Sequence, residues 1–207
     1  MTDYIEGKRP VIEALRTGVP ITEILMADNL KHDGLVEDIQ RKSRKFEVPI
    51  KTVPRKRLDE LSERGSHQGV MAATRPFQYA NTREILEAAR KANEDHGYAL
   101  VVLLDHVTDA GNLGAIARSA EAVGASGIII PSKRAAGVSA ATYKSSAGAI
   151  SHIPVAQTSN LVQAIERLKK DGFWVAGCHE KTDEVIWQSN MKGLMAVVMG
   201  SEGDGIS

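Results

Sequence analysis

The sequence predicts an α/β fold in two parts, a small N-terminal α/β domain and a larger domain built on a parallel sheet. Two observations carry this. The apolar runs at residues 98–104, 127–130, 173–178 and 194–199 are near-continuous rather than alternating, as in strands buried on both faces. Between them lie glycine-bearing loops and segments of helical periodicity, the alternation that builds a sheet with helices packed on it. A length of 207 residues allows one large domain or two small ones. The divisions are placed at residues 1–76, at a linker and polar helix over 77–96, and at 97–207.

In the first part, residues 10–16 read as a short helix with Pro10 near its start, where a missing N–H matters least. A strand follows at 21–27, then a helix over 35–46 with Leu35, Ile39 and Phe46 roughly on one side. Residues 48–53 read as a strand, 54–64 as a helix and 69–74 as the closing strand. The loop Gly65-Ser66-His67-Gln68-Gly69 joins those last two, and His67 and Gln68 are expected to project from it with donors and acceptors suited to ribose or base edges. Most loops of this kind only connect.

Arg75 to Asn81 is the linker, since Pro76 disfavours helix before it. Residues 82–94 form a polar helix with Thr82 as the expected cap. The stretch 98–125 organises the second part. An apolar run ends in the carboxylate of Asp105, and a turn-forming loop carries Asp109, Gly111 and Asn112. A helix then shows Leu113, Ile116, Ala117, Ala120 and Val123 at helical spacing, with Asn112 as its expected N-cap. A strand, a glycine loop and a helix form the place where α/β proteins put ligands. Arg118 stands off the apolar stripe among small residues. Spacing alone reads it as a solvated arginine paired with Glu121, and the sharper reading is a cation beside a close contact. Beyond it come a strand at 127–130, a short helix over 139–148, a short strand at 153–155, and a helix from Leu161 ending near Asp171. Strands at 173–178 and 194–199 complete the sheet.

Charge and composition narrow the function classes. Lys plus Arg equal Asp plus Glu at 26 each, so overall charge points to no partner. From Lys31 to Arg57, however, nine bases face four acids, concentrated in the clusters 41–45 and 55–57. A local surplus of that kind is what phosphate-backbone binding needs, and solvated helix faces explain it equally well. Aromatic residues are sparse there, so folded RNA read through its backbone fits better than stacked single strands. A single cysteine, Cys178, excludes an intrachain disulfide and a cysteine metal cage, and suits the cytoplasm. No signal peptide, membrane span or metal cluster is expected.

The last strand runs into Gly200-Ser201-Glu202-Gly203-Asp204-Gly205, a loop able to cradle an anion or nucleotide through its backbone N–H groups. A helix covering the sheet is expected after it, and with it a further C-terminal segment beyond Ser207.

Four pieces together resemble the SpoU (TrmH-like) RNA ribose methyltransferases. They are residues 109–120, residues 199–205, His67-Gln68-Gly69, and the opening Gly7-Lys8-Arg9-Pro10-Val11-Ile12-Glu13-Ala14-Leu15. The match is closest to the bacterial enzymes that methylate a guanosine 2′-hydroxyl in large-subunit ribosomal RNA. The resemblance implies a catalytic domain of the SPOUT type, with a deep trefoil knot that holds S-adenosylmethionine, and a homodimer with sites at the subunit interface. It implies Arg118, Asn112 and Glu202 as catalytic residues, and Gly200, Ser201, Gly203, Gly177 and Cys178 around the methyl donor. The N-terminal domain would bind ribosomal RNA, with His67, Gln68, Arg9, Arg41, Arg44, Arg55 and Arg57 as contacts. Two departures stand out: Ala110 replaces the family's usual proline, and the family's third motif has no counterpart in these residues.

Methyl transfer to a ribose hydroxyl is an in-line displacement that requires alignment and removal of a proton. Guanidinium stays protonated, so Arg118 is expected to act electrostatically on phosphate and developing alkoxide. A non-catalytic RNA-binding protein of the same fold is the first rival. A dinucleotide-dependent enzyme is the second, but no Gly-x-Gly-x-x-Gly follows the first strand of the larger domain.

Overall fold

A computed structural model describes residues 3–62, 65–179, 182, 185 and 188–207. The chain folds as two compact units, Met1–Phe77 and Gln78–Ser207.

The first unit runs β1 (Asp3–Glu6), α1 (Lys8–Thr17), β2 (Ile21–Ala27), α2 (Gly34–Lys45), β3 (Ile50–Val53), α3 (Arg55–Leu61) and β4 (Val70–Thr74). These make a four-stranded sheet in the order β1-β4-β2-β3, with only β2 and β3 parallel. Strand β1 was not expected from the sequence. As an edge strand it pairs on one side only, so it needs no continuous apolar run. Helix α1 starts ahead of Pro10, which still lies in the first turn, where its absent N–H breaks no helical bond.

Helix α2 corrects the expected apolar stripe. Its buried residues are Val36, Ile39 and Ser43, whereas Leu35 and Phe46 are exposed. Asp33 accepts hydrogen bonds from the N–H groups of Leu35 and Val36, which sets the helix phase and turns Val36 inward. Val36 and Ile39 meet Val11, Leu15, Ile24, Met26, Val70 and Ala72 on one side of the sheet. Leu58 of α3 packs with Leu25, Ala27 and Met71 on the other. Glu63 and Arg64, expected as the end of that helix, lie outside the described residues.

The second unit runs α4 (Thr82–His96), β5 (Tyr98–Leu104), α5 (Ala110–Ala122), β6 (Gly127–Pro131), α6 (Ala140–Ser145), a 3-10 turn (Ala149–Ser151), β7 (Val155–Thr158), α7 (Leu161–Lys170), β8 (Trp174–Cys178) and β9 (Gly193–Met199). All five strands are parallel, in the order β7-β6-β5-β9-β8. Alternate residues serve opposite faces. Val101, Leu103, Ile129, Ala196 and Val198 pack with Ile85, Leu86, Ala89, Leu168 and Phe173 from α4, α7 and the residue just before β8. Val102 and Leu104 point the other way, to the side that α5 covers through Leu113, Ala117 and Ala120.

Two expected details change. Asn81, not Thr82, caps α4, and Asn81 with Glu84 forms a reciprocal capping box. Strand β7 begins at Val155, after Pro154, which has no N–H to give to the ladder.

The strand order positions the site. From β5 the chain passes through α5 to β6 on one side, while β9 enters on the other. The carboxyl ends of β5 and β9 therefore flank a switch point, the crevice where open parallel sheets bind ligands.

Candidate active site

Two loops meet over that crevice. The β5–β9 ladder ends with Leu104 beside Met199 and is extended by the Asp105 N–H, which donates to the Met199 carbonyl at 2.8 Å. The loop after β5 and the bend after β9 thus start side by side. They enclose a cleft of about 850 Å³ whose lining includes His106, Asp109, Asn112, Ile116, Glu202 and Asp204.

Asp105 is 6% exposed, and both its carboxylate oxygens are engaged. One accepts the Ser207 backbone N–H at 2.8 Å; the other lies 2.7 Å from His106 Nδ1. Burial pushes the Asp105 carboxyl up, but hydrogen bonds from the Ser207 backbone and side chain, with His106 alongside, outweigh it and hold it below the ordinary value. Such a carboxylate stabilises the fold above the unfolded-state carboxyl range and loses that contribution as pH falls through its folded-state value. Asp105→Asn should therefore lower stability at neutral pH and flatten the acid limb of stability against pH. Urea unfolding at a series of pH values checks this, and an unchanged acid limb would count against the linkage.

The bend after β9 is tied to itself. The Ser201 N–H donates to the Gly205 carbonyl at 2.9 Å, the Gly205 N–H returns to Ser201 at 3.1 Å, and the Asp204 N–H donates to Ser201 Oγ at 3.0 Å. A Cβ on Gly200 would lie 2.0 Å from the Gly205 carbonyl carbon and oxygen and 2.3 Å from the Ile206 nitrogen. Only hydrogen fits there.

Asn112 links the two loops. Asp109, rather than Asn112, caps α5 by accepting the Asn112 N–H at 2.8 Å. With the cap supplied from three residues back, the Asn112 side chain is released into the cleft, where Nδ2 donates to Glu202 Oε2 at 3.4 Å. Helix α5 also comes very close to α6: a Cβ on Gly114 would sit 1.9 Å from Ser145 Oγ and 2.6 Å from the Thr142 carbonyl.

Arg118 lies farther along α5 and is exposed, outside the cleft lining. Among the described residues it makes no hydrogen bond or ion pair, so the expected pairing with Glu121 is not formed. Gly177 and Cys178 end β8 and line a different pocket, of about 660 Å³, with Trp174, Met195 and Val197. Gly177 nonetheless borders the bend, since a Cβ there would be 3.1 Å from Ile206 Cδ1. Cys178 is exposed. The described residues contain no group of side chains able to hold a metal ion.

In the first unit, His67 does not project as the sequence suggested. It is 3% exposed, with Nε2 2.8 Å from Asp59 Oδ1 and Nδ1 accepting the Gly69 N–H at 3.0 Å. The ring is a strut that holds the loop shut, while its neighbour Gln68 is exposed at φ 51°. Glu6 braces the same loop by accepting from Ser62 Oγ and the Ser66 N–H. Of the basic candidates, Arg9 and Arg55 are exposed without an ion pair among the described residues. Arg41 shares Asp38 with Lys42, Arg44 donates to the Gln40 carbonyl, and Arg57 pairs with Glu60 at 3.3 Å. Hydrogen bonds from Lys42 and then Arg41 hold the Asp38 carboxyl below its ordinary value. Sequence reasoning missed the Asp105–His106 pair. Its one visible signal was a carboxylate at the end of a buried apolar run.

The chain matches two family models. Residues 99–207 fit the SpoU rRNA Methylase family, and residues 4–80 fit the RNA 2′-O ribose methyltransferase substrate binding domain. YacO of Bacillus subtilis (strain 168), assigned to the TrmH family of tRNA/rRNA methyltransferases, is 40% identical over 206 residues, covering 99% of this chain and 80% of that relative. A Staphylococcus aureus (strain MSSA476) relative with the same family assignment is 38% identical over 205 residues, covering 98% and 80%. Among solved structures, the SpoU methyltransferase AviRb from Streptomyces viridochromogenes with AdoMet superposes with a TM-score of 0.64 at 22% identity, over 100% of this chain and 76% of that one. An AdoMet-bound rRNA methyltransferase from Sinorhizobium meliloti gives 0.58 at 26% identity, over 100% and 73%.

Proposed function

Because this chain belongs to the SpoU family of RNA methylases, whose methyl donor is S-adenosylmethionine, we propose that it methylates the ribose 2′-hydroxyl of a guanosine in large-subunit ribosomal RNA. One observation carries the reading. The hydrogen bond from Asn112 to Glu202 joins the two loops that the family's motifs mark, over a single cleft at the switch point of a parallel sheet.

The residues present fit the donor. The Gly200–Gly205 bend offers bare backbone at the cleft wall, and Glu202 and Asp204 supply negative charge opposite a cationic sulfonium. Gly200, Ser201 and Gly203 would hold it, with Gly177 and Cys178 at the neighbouring strand end. Bound donor supplies an electrophilic methyl group. The chain's part is to align the ribose oxygen with that group and to remove the hydroxyl proton. Asn112 and Glu202 fix the relation between the loops. Arg118, exposed on α5, would take a phosphate of the same RNA strand in its planar fork.

The remaining roles follow the division at residues 76 and 97. Residues 1–76 bind RNA through Arg9, Gln68, Arg55 and the flanking bases Arg41, Arg44 and Arg57, with His67 shaping the loop that presents Gln68. Residues 77–96 link, and residues 97–207 carry the transfer, acting as a homodimer in the cytoplasm. No helix among the described residues is long and apolar enough to cross a membrane.

Incubation with S-adenosylmethionine labelled in its methyl group, alongside ribosomal or transfer RNA, tests this directly. The expected result is label in large-subunit RNA, recovered as 2′-O-methylguanosine. Label confined to transfer RNA or to a base would overturn the substrate, and failure of the donor to saturate the protein in calorimetry would favour a non-catalytic RNA binder.

A further inference from the structure

We propose that His106 is a catalytic residue, the group that takes the proton from the ribose hydroxyl, an inference that rests on the methyl-transfer reading above. His106 lies two residues beyond the end of β5 and lines the cleft with Asn112 and Glu202. Its Nδ1 is 2.7 Å from Asp105 Oδ1. Asp105 is buried and takes the Ser207 N–H on its other oxygen, so its carboxylate is fixed in place and can only accept. The proton between the pair therefore sits on Nδ1. In the neutral ring the lone pair is then on Nε2, which has no partner among the described residues, and the half-exposed side chain leaves it open to the cleft.

The backbone supports the same assignment. His106 adopts φ 55°, a left-handed conformation uncommon outside glycine, though histidine, asparagine and aspartate enter it more readily than other side chains. Strain of this kind collects where a side chain is aimed for a task. Rival proton acceptors in the cleft are the carboxylates of Asp109, Glu202 and Asp204. Asp109 is engaged as the helix cap and Glu202 by Asn112, and carboxylates are ordinarily weaker bases than imidazole near neutrality. Arg118 stays protonated and cannot serve.

The step balances. The hydroxyl O–H bond breaks and its proton passes to His106 Nε2. The oxygen pair forms the new bond to the methyl carbon as the carbon–sulfur bond breaks, leaving its pair on a neutral thioether. The imidazolium afterwards returns the proton to water.

The first test needs no activity. Nitrogen-15 NMR of the imidazoles in the free protein should show His106 with its proton on Nδ1, and the Nε2–H tautomer would overturn the proposal. The second uses His106→Asn, which tolerates the left-handed backbone and can still donate to Asp105 but cannot accept the proton. With large-subunit ribosomal RNA, kcat should fall about 10²-fold while KM for RNA and donor affinity hold. The ascending limb of kcat against pH, present in the parent, should disappear. An active parent with an unaffected variant would sink the role of His106 alone, whereas a parent that methylates no RNA would sink the methylation reading together with it. Should His106→Asn fail to fold, His106→Gly in added imidazole decides: recovered turnover supports the role, and none refutes it.

Discussion

Replacing Arg118 by alanine should slow methyl transfer by about 10²–10³-fold and leave S-adenosylmethionine binding unchanged. The side chain stands outside the cleft lining and makes no ion pair among the described residues. Its removal therefore disturbs neither packing nor the loops that would hold the donor. On the proposed reading, what goes is a positive charge that would meet the RNA strand, and it would count most when charge builds on the ribose oxygen. Arg118→Lys should recover little, because an ammonium cannot grip a phosphate with two parallel hydrogen bonds. Single-turnover transfer measured beside donor calorimetry separates the two effects. Full activity in the alanine variant would reject the assignment, and loss of donor affinity would move Arg118 into the donor site.

Gly200→Ala should abolish the donor site from within. The added methyl carbon would lie 2.0 Å from the Gly205 carbonyl carbon and oxygen, and these are backbone atoms that no rotamer change can move aside. The Ser201–Gly205 pairing must open, carrying Glu202 away from Asn112. Misplacing a positioned group by about 1 Å costs on the order of 10²-fold, and this displacement is larger. Methyl transfer is expected to drop by at least that factor, and donor affinity to fall with it. The strand beneath should persist, because Met195 to Met199 is paired on both sides. Calorimetry with a thermal melt tests both halves: unchanged affinity would show that the bend is not part of the site.

The errors in reading the sequence share a cause. Leu35 and Phe46 look apolar enough for the core, yet Asp33 sets the phase of α2 and turns Val36 inward instead. Asn112 and Asp109 are both good caps, and only the path of the loop decides that Asp109 does the capping. His67 carries the donor and acceptor atoms of an RNA contact, but Asp59 and Gly69 claim both nitrogens. In each case a polar neighbour only a few residues away along the chain takes a hydrogen bond that spacing alone does not assign, and the local path of the backbone decides which one.

By itself, the order of residues determined the α/β class, the buried parallel strands, the two glycine-bearing loops and the family they mark. Burial on both faces demands apolar runs, and tight loops demand glycine, so these requirements are written locally. Only the tertiary structure decided that β9 enters between β5 and β8. That order brings Asn112 to Glu202 across 90 residues and Asp105 to Ser207 across 102. It also leaves His106 beside a buried carboxylate and Arg118 facing solvent. Pairing between distant strands depends on how whole surfaces fit together, and a window along the chain cannot contain that.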